Sequence, residues 1–172
     1  MNIKIYIDFD GVILDTWEII FKEYQNKYNT KKIKDENIKK TMLEIGWDLI
    51  LKNSREINDN LKKIRQLKQN FNICILSKIN SKNEKKAKKE YLLKNGICTM
   101  CFVPYNCSKT QFVEVIGNVL IDDDLKNLKD WQEHGGIAIY FNENLMNRDS
   151  YGNINEEFTI INDLLKIYDI IH

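Results

Sequence analysis

The first sixteen residues constrain the fold more than any other stretch, because a short apolar strand there runs directly into two carboxylates and a glycine. Residues 3–7 read Ile-Lys-Ile-Tyr-Ile, which is typical of a largely buried strand. Asp8 and Asp10 follow two positions apart, so both side chains project to the same side of an extended backbone. Gly11 then permits a sharp bend that exposes backbone amides. This order suits the joint binding of a cation and a phosphate, whereas an isolated D-x-D-G is as readily a solvated turn.

The composition limits the classes of partner. With 172 residues, 43% hydrophobic and 30% charged, the chain is typical of one globular domain with room for a small insert. The 25 acids and 26 bases give a net charge of +1, which argues against a stable nucleic-acid or membrane partner and favours a small substrate. No apolar run approaches the roughly 20 residues of a spanning helix, and no signal peptide is recognisable. We therefore expect a cytoplasmic protein, whose oligomeric state the sequence leaves open.

The cysteines and histidines carry little chemistry in this pattern. Cys98-x-x-Cys101, with Cys107 nearby, has the spacing of half a zinc site, but no second Cys/His pair accompanies it. Buried thiols are the favoured interpretation, and metal ligation is the alternative. His134 and His172 stand alone in the sequence, which favours structural roles for both.

Helical patterns fill the segment between the first two strands. Asp15-x-x-Glu18 resembles a capping box that opens a helix to about Tyr28. Apolar residues at helical spacing predict two further helices, through residues 38–49 and 57–67. This segment is longer than one crossover helix requires. We therefore predict a core of residues 1–14 and 71–172 and a small helical cap of residues 15–70.

Strands and helices alternate beyond residue 70. Four further strands are predicted at 71–76, 97–103, 119–121 and 137–141, and a last amphipathic helix at about 160–171. Ser81-x-x-Glu84 and Ser108-x-x-Gln111 resemble capping boxes that open two of the intervening helices. The lysines of the first of these helices, at 82, 85, 86, 88 and 89, alternate with acids and predict a solvated face. The alternation predicts an α/β fold, a Rossmann-like parallel sheet with helices on both faces.

Ligands bind such sheets beyond the carboxyl ends of the strands, where the candidate polar residues lie. We expect Mg²⁺ to be held by the side chains of Asp8 and Asp122 and the backbone carbonyl of Asp10. Phosphate is expected to contact the Ser77 hydroxyl, the Lys109 ammonium and the amides of Phe9, Asp10 and Gly11. One carboxylate would attack phosphorus while the other protonates the leaving alkoxide and later activates water. Asp8 is the predicted nucleophile and Asp10 the predicted acid/base.

These residues resemble the four motifs of the haloacid dehalogenase (HAD) superfamily of phosphohydrolases, in order and over nearly the whole chain. Asp8-Phe9-Asp10-Gly11-Val12 is similar to the first motif, Leu76-Ser77 to the second, Lys109 to the third and Ile121-Asp122-Asp123 to the fourth. The resemblance implies an aspartyl-phosphate on Asp8, acid/base catalysis by Asp10, phosphate binding by Ser77 and Lys109, and magnesium held with help from Asp122 and Asp123. It also implies that the helical segment is a cap of the kind found between the first two motifs.

A looser resemblance points to a substrate. The chain is similar to the cytosolic 5'(3')-deoxyribonucleotidases in four segments: Cys107-Ser108-Lys109-Thr110, the strand into Asp122-Asp123, Trp131 and Gly135-Gly136. This resemblance implies that the substrate is a nucleoside monophosphate. Phosphatases of sugar phosphates or other metabolites, phosphomutases and phosphatases of nucleic-acid ends are alternatives, as is a non-catalytic phosphate-binding module. A response-regulator receiver fits less well, because its acids all precede its hydroxyl residue and lysine. Four aromatic residues of the cap would either stack a base or pack the cap interior: Trp17, Phe21, Tyr24 and Trp47.

Overall fold

The computed structural model describes residues 3–30, 32, 34–144 and 158–171. Its helices and strands alternate beyond the cap, as the sequence predicts. In chain order they are β1 (Lys4–Ile7), β2 (Leu14–Asp15), α1 (Thr16–Tyr28), α2 (Asp35–Ile45), α3 (Trp47–Asn53), β3 (Arg55–Glu56), α4 (Asn60–Leu67), β4 (Asn72–Ile79), α5 (Lys82–Lys94), β5 (Met100–Pro104), a 3₁₀ turn (Lys109–Gln111), β6 (Val119–Asp122), α6 (Leu125–Glu133), β7 (Ile137–Phe141), β8 (Thr159–Ile161), a second 3₁₀ turn (Leu164–Lys166) and α7 (Ile167–Ile170).

Six strands form one parallel sheet in the order β5-β4-β1-β6-β7-β8. Both faces of the sheet are buried, because alternate residues of β1 pack into different apolar clusters. Ile5 and Ile7 join the larger cluster, and Tyr6 joins the other beside Trp131, whose ring meets it edge to face at 5.4 Å. A parallel sheet covered on both faces is the α/β arrangement that the sequence predicts. The fold-class prediction is confirmed.

The cap leaves and rejoins the core at one point. β2 and β3 pair antiparallel, so that Leu14 faces Glu56 and Asp15 faces Arg55. Helices α1, α2 and α3 lie between these two strands. The Arg55 guanidinium donates to Glu143 at 2.7 and 2.8 Å and to Asp15 at 3.2 Å, which ties this junction to the loop after β7.

The predicted cap boundary at residue 70 stays a prediction, and the contacts of α4 favour an earlier one. The Lys63 ammonium lies 2.7 Å from the Asp163 carboxylate of the core, and the Asn60 side chain donates to the Val12 carbonyl at 2.7 Å. Helix α4 therefore packs as the crossover helix that leads into β4. The helix predicted through residues 38–49 is two helices, because Gly46 adopts a φ of +82° between α2 and α3.

Two predicted elements, the last helix and the strand at 97–103, need correction. Residues 160–171 do not form one amphipathic helix: Thr159–Ile161 is instead an edge strand beside β7, because three β-branched residues in a row suit a strand. The predicted strand at 97–103 starts only at Met100, after Gly96 reverses the chain with a φ of +77°. His172 lies outside the described residues.

The prediction of buried thiols is wrong for Cys98 and its neighbours Cys101 and Cys107, none of which is fully buried. Cys74 is buried, Cys101 and Cys107 are half-buried, and Cys98 is exposed because it lies in the turn before β5. Among the residues that the structure describes, no group of three potential metal ligands includes a cysteine. No helix in the described ranges has the length and apolar character needed to cross a lipid bilayer.

Candidate active site

The predicted site residues converge where β1, β4 and β6 end. These strands are neighbours, with β1 in the middle, so Asp8 and Asp10 after β1 meet Ser77 of β4 and Asp122 of β6. Lys109 reaches them from the 3₁₀ turn after β5, where Ser108 caps the turn through the Thr110 amide. A cavity of about 540 Å³ opens over these strand ends.

Lys109 joins two of the predicted catalytic acids. Its side chain is 2% exposed, and its ammonium donates to Asp8 Oδ1 at 2.5 Å and to Asp122 Oδ2 at 2.7 Å. Burial lowers the pKa of Lys109, but the Asp122 and Asp8 carboxylates outweigh that effect and hold the pKa above its ordinary value. Lys109 therefore stays charged and keeps the two acids together.

Three carboxyl groups form what we call the acid cluster: Asp8, Asp122 and Asp123, each of which has one oxygen within 4.8 Å of an oxygen of the other two. Burial, opposed by Lys109 and reinforced by Asp122 and Asp10, raises the pKa of Asp8 to about 7. Burial and the charges of Asp8, Asp122 and Asp10 raise the pKa of Asp123 to about 9. The sequence predicts only a supporting role for Asp123, whereas the structure places it in the cluster.

The donor set fits a hard divalent cation. Carboxylate oxygens are the ligands that Mg²⁺ prefers, and the acid cluster supplies three such groups. Burial and the mutual repulsion of these carboxyl groups raise the pKa values of Asp8 and Asp123, and a bound cation would offset both effects. The predicted Asp10 carbonyl ligand stays a prediction, because the cluster is defined by side chains.

Asp122 is held by residues that the sequence analysis did not identify. The Asp124 amide donates to Asp122 Oδ1 at 2.9 Å, and the Asn127 side chain donates to Asp122 Oδ2 at 3.0 Å. The side-chain oxygen Oδ1 of Asn127 in turn accepts a hydrogen bond from Lys78 Nζ at 2.8 Å. Asp124, the third consecutive acid in the sequence, also caps α6, because its side chain accepts a hydrogen bond from the Lys126 amide. An acid at this position is therefore explained by its role as the helix cap.

The Asp10 carboxyl group is held apart from the acid cluster by its own partners. Thr16 Oγ1 donates to Asp10 Oδ1 at 2.8 Å, and Lys88 Nζ donates to Asp10 Oδ2 at 2.5 Å. The Ser77 hydroxyl lies 3.5 Å from the same oxygen. The two predicted catalytic acids are thus paired with different lysines, Asp8 with Lys109 and Asp10 with Lys88.

Lys88 corrects the prediction of a solvated lysine face on α5. Lys82, Lys85, Lys86 and Lys89 are exposed, but Lys88 is fully buried. The signal was present in the spacing: Glu84, Ala87, Lys88 and Leu92 are the buried residues of α5, at the i, i+3, i+4 and i+8 positions of one helix face. Lys88 therefore lies on the stripe that packs against the core.

The predicted phosphate-binding residues have different environments. Lys109 lines the cavity, whereas Ser77 is fully buried, and its hydroxyl accepts a bond from Lys88 Nζ at 3.2 Å. The Phe9 ring is buried edge to face with Tyr91, and the Gly11 amide donates to the Leu14 carbonyl at 2.8 Å. Phosphate contacts from Ser77 and from the amides stay predictions, and the bond to Leu14 argues against the Gly11 amide.

The cavity is acidic on one side and largely apolar on the other. The apolar side comes mainly from the cap and consists of Trp17, Ile20, Met42, Trp47 and Tyr105. Phe21 stacks on Trp17 at 5.6 Å and lines an adjoining groove, whereas Tyr24 is buried against Tyr28. Of the four aromatic candidates, Trp17 and Trp47 therefore face the main cavity, and Tyr24 packs the cap interior.

Solved structures that resemble this chain include HAD hydrolases. YfnB from Bacillus subtilis, assigned as a HAD-hydrolase and solved with magnesium, has a TM-score of 0.64 at 16% identity over 99% of this chain and 98% of that chain. A haloacid dehalogenase-like hydrolase from Streptococcus pneumoniae gives 0.64 at 10% identity over 99% and 98%. A HAD-superfamily hydrolase of subfamily IA from Geobacter sulfurreducens gives 0.65 at 8% identity over 99% and 96%. The chain has a HAD-like fold. No family model matches the sequence, and no curated protein matches it.

The HAD-like fold explains why the site residues are distant in sequence and close in space. Asp8, Ser77 and Asp122 each lie at or near the carboxyl end of one of three adjacent strands, β1, β4 and β6. The cap begins directly after β1, so its helices cover the same edge of the sheet. Its position places Trp17 and Trp47 over the acids of the core.

Gly11 makes room for the acid cluster of the HAD-like fold. A Cβ at this position would lie 1.9 Å from Asp123 Oδ2, and Gly11 has a φ of +78°. We expect Gly11→Ala to destabilise the protein by several kcal/mol, because backbone strain and displacement of a buried carboxylate both contribute. Gly46→Ala is the matched control, since Gly46 has a φ of +82° but no atom within 4 Å of a Cβ. Equal losses of thermal stability in the two variants would contradict the clash with Asp123.

The raised pKa of Asp123 predicts a pH dependence of stability without metal. Because the folded-state pKa is about 9 and the ordinary value is 3.8, the folded state binds more protons than the unfolded state between these values, and stability falls as pH rises through this window. Asp123→Asn should flatten this decline in melts between pH 5 and 9 with chelator. The exposed Asp48→Asn variant should keep the wild-type slope. A pH-independent wild-type midpoint would contradict the prediction.

Proposed function

We propose that the protein is a magnesium-dependent phosphomonoester hydrolase that acts through an aspartyl-phosphate on Asp8. The observation that carries the proposal is the separate pairing of the two acids after β1. Asp8 lies in the acid cluster against Lys109, and Asp10 is held outside it by Thr16 and Lys88. Two carboxyl groups in different environments are suited to different roles.

In the first step the ionised Asp8 carboxylate attacks phosphorus, and the bond from phosphorus to the leaving oxygen breaks. The protonated Asp10 carboxyl group gives its proton to that oxygen, which departs as an alcohol. Lys109 offers its ammonium to the phosphoryl oxygens, where negative charge is concentrated during transfer. Asp8 and Asp10 both line the cavity, as this division of roles requires.

In the second step a water molecule attacks the aspartyl-phosphate at phosphorus. Asp10, now ionised, takes the proton from the water, and the bond from phosphorus to the Asp8 oxygen breaks. Inorganic phosphate leaves, and both carboxyl groups return to their starting protonation states. Asp10 thus acts first as an acid and then as a base.

The acid cluster would hold the magnesium ion, with Asp8 and Asp122 as side-chain ligands, Asp123 beside them and the Asp10 carbonyl as a further candidate. A bound divalent cation supplies positive charge to the phosphoryl group and offsets the repulsion between phosphate and the acids. Asn127 and the Asp124 amide fix the orientation of Asp122 for this purpose.

The leading substrate is a nucleoside monophosphate. The even charge balance supports a small phosphorylated metabolite, and a cavity of about 540 Å³ has room for one. The Trp17 and Trp47 rings on the cap side are suited to contact with a planar base. A sugar phosphate or another small phosphomonoester is the alternative, since it needs the same chemistry but not the aromatic wall.

Phosphate release from a panel of ribonucleoside and deoxyribonucleoside monophosphates, sugar phosphates and a 5'-phosphorylated oligonucleotide tests the proposal. Each compound is incubated with magnesium and with chelator. Magnesium-dependent release that is greatest for nucleoside monophosphates is the expected result. Release from sugar phosphates alone would support the proposed reaction and contradict the nucleoside monophosphate as substrate. Release from no compound would favour a non-catalytic phosphate-binding module.

A further inference from the structure

Lys88 is a buried cation that the proposed reaction does not yet use. Its side chain is 0% exposed, and its three ammonium protons meet three side-chain acceptors. Asp10 Oδ2 lies at 2.5 Å, Glu84 Oε1 at 2.7 Å and Ser77 Oγ at 3.2 Å. Burying a lysine costs several kcal/mol unless such partners surround it, so this arrangement needs an explanation beyond packing.

Glu84, which also lines the cavity, is the second carboxyl group that holds Lys88. It is 1% exposed, and its second oxygen accepts a bond from the Asn80 amide at 2.7 Å. Burial raises the pKa of Glu84 despite the neighbouring Lys88, whereas Asp10 and Glu84 raise the pKa of Lys88 against the effect of burial. The ammonium therefore remains charged between two carboxyl groups that both line the cavity, Glu84 of α5 and Asp10 after β1.

The cap completes the surroundings of Lys88. Its ammonium lies 4.5 Å from the centre of the Trp47 ring and 5.2 Å from that of Phe9, within the range of a cation–π contact. Trp47 is the first residue of cap helix α3 and also lines the cavity. Among the described residues, those lining the cavity include Asp10 and Trp47 but not Lys88.

We propose that Lys88 is a positioning residue that sets the Asp10 carboxyl group for proton transfer and couples its position to the cap through Trp47. The inference rests on the proposed function. Thr16 holds one Asp10 oxygen and Lys88 holds the other, so loss of the ammonium leaves the carboxyl group held firmly at one oxygen only and able to turn about that bond. A turned carboxyl group delivers its proton poorly to the leaving oxygen.

Two substrates separate this role from a general loss of structure. Benzyl phosphate releases an alkoxide that needs a proton, whereas 4-nitrophenyl phosphate releases a stabilised phenolate that needs it much less. Both carry one aromatic ring for the apolar wall. Since general acid catalysis contributes about 10²–10⁴-fold, Lys88→Met should lower kcat/KM for benzyl phosphate by about 100-fold and for 4-nitrophenyl phosphate by less than about 10-fold. Lys85→Met, an exposed change on the same helix, should affect neither.

Further variants keep the test decisive if Lys88→Met folds poorly. The double variant Lys88→Met/Glu84→Gln removes one charge of each sign and still deprives Asp10 of its ammonium partner. Trp47→Leu should show the same selective loss to a smaller degree, whereas Trp17→Leu, whose ring stacks on Phe21 instead, should lower both rates alike. Equal losses for both substrates in the folded Lys88 variants, or no loss, would overturn the inference while leaving the hydrolase intact. Wild-type inactivity on both compounds and on every compound of the phosphate-release panel would instead overturn the proposed hydrolase activity and, with it, this inference.

Discussion

Asp8→Asn is expected to reduce phosphate release by at least about 10³-fold, because an amide cannot form the acyl phosphate through which the proposed reaction proceeds. The substitution changes little volume, so the protein should still fold. Wild-type protein quenched in acid during turnover should carry one phosphoryl group on the peptide that contains Asp8. The variant should carry none, as mass spectrometry of the digested protein can establish.

Asp169→Asn provides the matched control, since Asp169 is exposed in the short helix α7 and loses the same charge. Its turnover should equal that of the wild type. Substantial turnover by Asp8→Asn, or a phosphoryl group on another residue, would show that Asp8 is not the nucleophile. If Asp8→Asn loses both the phosphoryl group and its thermal unfolding transition, the two proteins are compared again at a lower temperature, at which the variant is folded.

Lys109→Met should have the second large effect, on activity and stability together. Lys109 is 2% exposed between Asp8 and Asp122, and breaking a buried ion pair from one side costs about 3–5 kcal/mol because the remaining charges are unpaired. For a chain of this size that corresponds to a fall in the thermal midpoint on the order of 10 °C. Turnover should fall as well, since the phosphate loses its ammonium partner.

Addition of magnesium distinguishes the loss of stability from the loss of turnover in Lys109→Met. The added cation should restore part of the thermal midpoint, because it balances the acid cluster, but it should not restore turnover. Lys129→Met is the control, since Lys129 is exposed on α6 and loses the same charge and length. A Lys109 variant with wild-type turnover would remove this residue from the site, and an unchanged midpoint would show that the two carboxyl groups do not need it.

The core of the fold is predictable from this sequence because its signals are local and agree with one another. The isoleucine-rich strand before Asp8 and the capping box at Asp15 both appear where predicted. The errors arise where tertiary pairing decides the structure. Thr159–Ile161 has an apolar pattern that also fits a helix, and its parallel pairing with β7 makes it a strand.

The residues of the candidate site were likewise predictable only in part. The predicted Asp8, Asp10, Lys109 and Asp122 converge because their strands end at one edge of the sheet. Thr16, Lys88 and Asn127 were missed, since each acts by holding another side chain and so leaves no motif of its own. Lys88 was not recognised because the lysines around it, at 82, 85, 86 and 89, are exposed, although its spacing from Glu84 and Leu92 places it on the buried face.

The pairing of β2 with β3 allows the sequence of the cap to change while the sheet keeps its structure. The two ends of the cap are hydrogen-bonded neighbours, since Leu14 pairs with Glu56 and Asp15 with Arg55. A segment whose ends already meet can be lengthened, shortened or exchanged without moving the strands that carry the acids. Replacement of the part of this segment that does not hold Asp10 or Lys88, with Thr16 and Trp47 kept, is therefore a route to a new leaving-group preference.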